Sequence, residues 1–161
     1  MIYSSLKKII AILLSLILIF AFSGCSSRKE YSYFEISEEI YNLVTFSEMK
    51  ELSGVSLPSY FVFQDGNVKR YSVKVSATGA SADTLACFEV NDDKQRATVI
   101  SGISQYLTNL STAFKSTIGQ EYNKVEKRVL AEFENIIILV ICNDTATVWD
   151  YLTKLGAKEV I

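Results

Sequence analysis

Apolar residues recur at intervals of three and four in separate stretches of the chain, which is the spacing of one face of an α-helix. The first predicted helix covers residues 36–49, with Ser37 as its N-cap and acidic residues in its first turn. The longest begins at a cap within residues 91–93 and keeps its apolar stripe over residues 97–114. Its opposite face is serine, threonine, glutamine and asparagine, so we expect that face to be solvated.

A third helix is predicted near the C-terminal end of the sequence. Asn143 or Asp144 is suited to cap it, and Gly156 is suited to end it. Short apolar or alternating runs, bounded by turn-forming residues, predict strands elsewhere. The predicted strands are residues 60–63, 70–76, 84–90, 125–133 and 136–142, with a turn at Glu134 and Asn135 between the last two.

The predicted order is α-β-β-β-α-β-β-α. Strands that follow one another through short turns pair antiparallel, and helices then cover the sheet. We therefore predict an α+β fold, a two-layer sandwich of a mostly antiparallel sheet with helices on one face. Residues 136–142 are apolar at every position, so this strand is expected to be central.

The N-terminal residues have the pattern of an export signal. Lys7 and Lys8 precede an uncharged, almost wholly apolar run at residues 9–22, and Ser23-Gly24-Cys25 follows. Small residues directly before a cysteine resemble the lipobox of bacterial lipoproteins, in which the thiol receives a diacylglycerol and the preceding bond is cut. Cys25 is accordingly the predicted lipidation site, with palmitate as a typical acyl chain.

Two other interpretations of this segment remain open. The first is an uncleaved membrane anchor, although its about 14 apolar residues fall short of the roughly 20 that span a bilayer core. The second is an ordinary secretory signal that happens to be followed by a cysteine. The lipoprotein interpretation divides the chain into a signal peptide at 1–24, a lipidated cysteine and tether at 25–35, and a domain at 36–161. It predicts a location at the outer face of the bacterial cell membrane, held by the lipid.

Composition excludes several classes of function. The chain has no histidine, which rules out Ser-His-Asp and Cys-His catalysis and imidazole metal sites. The formal net charge is −2, and loss of Lys7 and Lys8 would make it −4, so nucleic acid is not an expected partner. No cofactor is indicated. Lys124, Lys127 and Arg128 form a basic run that neighbouring glutamates neutralise, which is typical of a solvated face.

Cysteine and carboxylate residues give no metal signature. Cys87 and Cys142 lie in apolar, strand-like runs, so we expect two buried thiols, with a disulfide as the alternative. Asp92 and Asp93 lack the spacing of a calcium loop and are better explained as helix caps.

The best candidate for a binding loop lies within residues 78–83, where Thr78, Gly79, Ser81 and Asp83 are the candidate site residues. Small residues let a ligand approach the backbone, and exposed N–H groups can hold an anion. The alternative is a plain connection between strands, in which Asp83 makes a local hydrogen bond.

The sequences at 76–83, 85–89 and 121–126, together with the long polar-faced helix, resemble the DUF4358 family of bacterial lipoproteins, found mainly in Firmicutes. The resemblance covers roughly residues 36–155 and implies a secreted, lipid-anchored domain with no catalytic residue to transfer. Thr84 stands where the family usually has an acid. Glu134 stands where it usually has a turn glycine, so Asn135 is expected to take any left-handed conformation.

These observations predict a non-enzymatic binding or accessory domain at the cell envelope. One alternative is an envelope enzyme without histidine, which would need a perturbed group in a cleft near Asp83 or Tyr122. Another is a subunit of an envelope protein assembly, docking through a sheet edge or the polar face of the long helix.

Overall fold

The computed structural model describes residues 30–63, 66 and 68–160, and one compact unit runs over Tyr31–Ile161. The predicted signal peptide and Cys25 lie outside the described residues. The helices are α1 (Tyr33–Leu43), α2 (Pro58–Phe61), α3 (Asp93–Lys115), α4 (Gly119–Glu126) and α5 (Thr145–Leu155). The strands are β1 (Met49–Glu51), β2 (Arg70–Ser76), β3 (Thr84–Glu89), β4 (Val129–Phe133), β5 (Ile136–Ile141) and β6 (Lys158–Glu159).

The strands form one antiparallel sheet in the order β1-β2-β3-β5-β4-β6. The predicted α+β class and antiparallel sheet are confirmed. Strands β3 and β5 are central and fully buried, and Ala86 of β3 lies opposite Leu139 of β5. The expectation that the apolar run after Asn135 forms a central strand is therefore correct.

Helices cover both faces of this sheet, so the prediction of helices on one face is wrong. On one face, α2, α3 and α4 pack over a core that contains Phe88 and Leu139. On the other, α1 and α5 pack over a second core that contains Leu85 and Ile138. Consecutive residues of a strand point to opposite faces, and in β3 and β5 both sets are apolar, so both faces need a cover.

Helix α1 begins earlier than predicted. Ser32 is its N-cap and forms a capping box with Glu35, in which each side chain accepts a hydrogen bond from the other residue's backbone N–H. Ser37, the predicted cap, is instead buried inside the helix, where its hydroxyl lies 2.9 Å from that of Ser72. The folded unit consequently starts at Tyr31 and not at Ile36.

The predicted strand at residues 60–63 is wrong, because Pro58 starts the short helix α2 there. Val62 ends α2 with φ 58°, an unusual conformation for a β-branched residue. The aromatic side chains on either side of it pack on Phe88, with ring centroids 5.2 Å away for Phe61 and 5.3 Å for Phe63. Aromatic packing against the sheet explains why this apolar run is not a strand.

The segment at 125–133, predicted as one strand, is the end of α4 followed by β4. At the turn before β5 the left-handed residue is Glu134, with φ 53°, and not Asn135. The predicted caps at Asp144 and Gly156 are confirmed. Within the described residues, no helix has the length and apolarity to span a bilayer.

Candidate functional site

The predicted binding loop joins β2 to β3 and has an exposed tip and a buried base. Thr78 and Gly79 are exposed, and Gly79 has φ 71°, which glycine adopts without steric cost. The Thr78 hydroxyl oxygen accepts a hydrogen bond from the Ala80 N–H at 3.3 Å. Ser81 is half-buried and Asp83 is 4% exposed. The four candidate residues therefore separate into two that face solvent and two that do not.

The base of the loop is held by Lys124 of α4, in a cluster that we call the Lys124 clamp (Ser81, Asp83, Glu121 and Lys124). Lys124 Nζ lies 2.7 Å from both Asp83 Oδ1 and Glu121 Oε2, and it donates to Ser81 Oγ at 2.9 Å. Burial acts to lower the pKa of Lys124, but hydrogen bonds and the charges of the two carboxylates raise it above its ordinary value. The three donors of the ammonium thus have three acceptors.

The loop was expected to donate hydrogen bonds to an anionic ligand, but at its base the donors bind the carboxylate of Glu121 instead. Its Oε2 accepts the Ala82 backbone N–H at 2.7 Å and the Ser81 hydroxyl at 3.0 Å. The protein's own carboxylate is the anion at the base of the loop. Ligand binding at the exposed tip of the loop stays a prediction.

The clamp also reaches the segment between α1 and β1. Asp83 Oδ2 accepts the backbone N–H of Ser47 at 2.7 Å. Sequence reasoning treated Lys124 as part of a solvated run and so missed its burial. The available signal was the i, i+3 spacing of Glu121 and Lys124, which places both on one face if residues 119–126 are helical.

The other two cations of that basic run behave differently. Lys127 and Arg128 are exposed, and neither forms an ion pair with a residue in the described part of the chain. Both line a cavity of about 200 Å³, here called the Arg128 cleft, between the α4–β4 connection, α5 and β6. The neutralisation expected for the run thus applies to Lys124 alone.

The Arg128 cleft combines several kinds of side chain. The indole of Trp149 and the hydroxyl-bearing Thr145 come from α5, and the carboxylate of Glu159 comes from β6. A second, larger groove of about 550 Å³ follows α3 and α4 and shares Arg128 with the cleft. Tyr122 lines this second groove, whereas both carboxylate oxygens of Asp83 accept hydrogen bonds, Oδ1 from Lys124 and Oδ2 from the backbone N–H of Ser47.

The remaining candidates have structural roles. Asp92 caps α3 by accepting the Gln95 N–H at 2.7 Å, as its spacing indicated. Cys87 and Cys142 are free, buried thiols, and burial raises the pKa of Cys87 to about 12 and that of Cys142 to about 11. Thiols with such pKa values are poor nucleophiles. Among the described residues, no three metal-ligating side chains come together.

Comparisons with known proteins place the chain in a family. No curated protein and no solved structure matches it. The family model of a domain of unknown function, DUF4358, matches residues 42–142, from the end of α1 to just past β5. This match covers well over half of the 161 residues, and the chain therefore belongs to the DUF4358 family.

Proposed function

We propose that this protein is a lipoprotein, anchored by Cys25 at the outer face of a bacterial cell membrane. The observation that carries the proposal is Ser23-Gly24-Cys25 directly after a basic start and an apolar run. Two acyl chains on one residue, at about 0.8 kcal/mol per buried CH₂, give stable anchoring where a single chain is marginal. A tether of residues 26–30 would keep the domain within about 20 Å of the lipid.

We further propose that the folded unit is a binding or accessory domain and not an enzyme. The polar side chains of the Lys124 clamp satisfy one another, which supports a structural role for them. The thiols of Cys87 and Cys142 and the hydroxyl of Tyr106 in α3 support the same interpretation, because burial raises the pKa of each. The pKa of Tyr106 is raised to about 12, so its hydroxyl stays protonated. Exposed side chains in an open cleft favour recognition of a partner.

A second candidate function is that of a subunit in an envelope protein assembly. It is favoured by α3, whose exposed face carries no charged residue between Arg96 and Lys115. An uncharged helix face is less costly to desolvate in an interface than a charged one. Cross-linking from this face to a defined envelope protein would support the second candidate.

Metabolic labelling with an alkyne analogue of palmitate tests the anchor. We expect the full-length protein to be labelled and recovered with membranes, and Cys25→Ser to lose the label completely. Cys142→Ser is the matched control, because it removes one thiol and should keep the label. Label that persists in Cys25→Ser, or unlabelled full-length protein in the cytosol, would contradict the proposal.

A further inference from the structure

We propose that the Arg128 cleft is a binding site for an acidic sugar, a single ring that carries a carboxylate or a phosphate. None of the residues that line the cleft belongs to the Lys124 clamp. The proposal rests on the proposed binding function and names the class of ligand for it.

Lys127 and Arg128 are exposed charges that the rest of the described chain leaves unpaired, while Lys124, three residues earlier, is fully engaged. A guanidinium binds carboxylate and phosphate through paired N–H donors, and an ammonium adds a point charge. An anionic group on the ligand is therefore the partner that these two side chains fit.

The other walls of the cleft fit the rest of such a ligand. Glu159 offers a carboxylate, an acceptor for hydroxyl donors, and Thr145 offers a hydroxyl. Trp149, beside the apolar Val129, offers a surface for the C–H face of a ring. One anion, several hydroxyls and one ring describe an acidic sugar, whereas a simple inorganic anion would leave the indole and Glu159 unused.

The cleft also lies at the end of the sheet opposite to where the chain enters the domain. Tyr31 packs edge-on against Phe133, the last residue of β4, with ring centroids 6.3 Å apart. Arg128 directly precedes the first residue of that strand, and five strand residues span roughly 13 Å. The cleft thus lies at the end of β4 remote from Tyr31, the first residue of the folded unit.

Trp149 is the sole tryptophan of the chain, so its fluorescence reports on the cleft directly. The full-length protein in a non-ionic detergent is titrated with N-acetylmuramic acid, with glucose 1-phosphate and with neutral N-acetylglucosamine. We expect a saturable change in fluorescence with one or both acidic sugars, and at least tenfold weaker binding of the neutral sugar. The two acidic arms distinguish a carboxylate ligand from a phosphate ligand.

Arg128→Gln and Lys127→Gln are each expected to weaken binding by about tenfold or more. Lys94→Gln is the matched control, because Lys94 is an exposed cation near the start of α3 that lines neither the cleft nor the groove. Thermal unfolding of each variant checks that the fold is kept, and two independent variants keep the test decisive if one does not fold.

Three results would overturn the proposal: no saturable change with either acidic sugar, equal binding of the neutral sugar, or equal losses in Lys94→Gln and Arg128→Gln. These measurements in detergent do not depend on where the protein resides or on its lipid. Failure to bind either acidic sugar would therefore leave the anchoring proposal intact. Failure to label the full-length protein with the palmitate analogue would likewise leave the proposal for this cleft intact.

Discussion

At the scale of single residues, one lysine connects separate parts of the domain. Lys124 joins α4 to the loop before β3, and its partner Asp83 also binds the backbone at Ser47. A buried ion pair of this kind carries a large desolvation cost, so removing one partner leaves a buried charge without its counter-ion.

Lys124→Met is expected to lower the free energy of unfolding by about 3 kcal/mol or more, because it leaves the buried Asp83 carboxylate without its cation. Lys154→Met is the control: its pair with Asp150 is 73% and 67% exposed, and exposed pairs contribute little. Urea unfolding followed by circular dichroism measures both variants. Equal effects in the two would show that the clamp is not a stabilising element.

At the scale of elements, the packing of α2 on α3 depends on one residue without a side chain. A Cβ on Gly102 would overlap the backbone carbonyl of Phe61 and the ring of Phe63. This close approach brings α2 down onto the sheet, where its aromatic residues contact Phe88. Glycine is thus required here by contact distance and not by its φ angle.

Gly102→Ala is expected to destabilise the protein by about 1–3 kcal/mol, since overpacking outweighs the gain of about 1 kcal/mol in helix propensity. Gly119→Ala is the matched control, because a Cβ there meets nothing within 4 Å. Thermal unfolding of the two variants measures the difference. A stabilised Gly102→Ala variant would mean that α2 does not pack in this position.

At the scale of the whole molecule, the domain is a sheet between two layers of helices. The family match ends at Cys142, before α5, yet α5 supplies Val148 and Leu152 to the core on its side of the sheet. The folding unit is consequently larger than the matched segment. Trp149, a wall of the Arg128 cleft, also lies outside that segment.

A chain that ends at Asn143 is expected to lose cooperative unfolding, because the faces of β4 and β5 under α5 would be exposed to water. A chain that ends at Gly156 keeps α5 and removes only β6 and the residues beside it, so it should unfold cooperatively at a lower temperature. Calorimetry compares both with the full chain. A cooperative transition in the chain that ends at Asn143 would show that α5 is not needed to complete the core.

Much of the fold was predictable because local patterns determine it. The alternation in β2, the apolar run of β5, the stripe of α3 and the caps at Asp92, Asp144 and Gly156 each depend on neighbours in sequence. The short elements were not predictable. Residues 58–63 have an apolar pattern that fits a strand, and only packing against Gly102 and Phe88 decides otherwise.

The candidate site divides in the same way. Thr78, Gly79, Ser81 and Asp83 were identified as a loop from their small and polar side chains, and they do lie on one loop. Sequence could not show that Ser81 and Asp83 are held by a lysine 43 and 41 residues away. Nor could it separate Lys124 from Lys127 and Arg128, since burial depends on which face of α4 meets the sheet.

The sequence by itself determined the absence of histidine chemistry, the α+β class and the central position of β5, because each depends on composition or on the spacing of nearby residues. The tertiary structure alone decided that helices cover both faces, that Lys124 is buried and that Arg128 and Trp149 share a cleft. These features join residues distant in the chain, and their cause is the pairing of strands and the need to cover every apolar face.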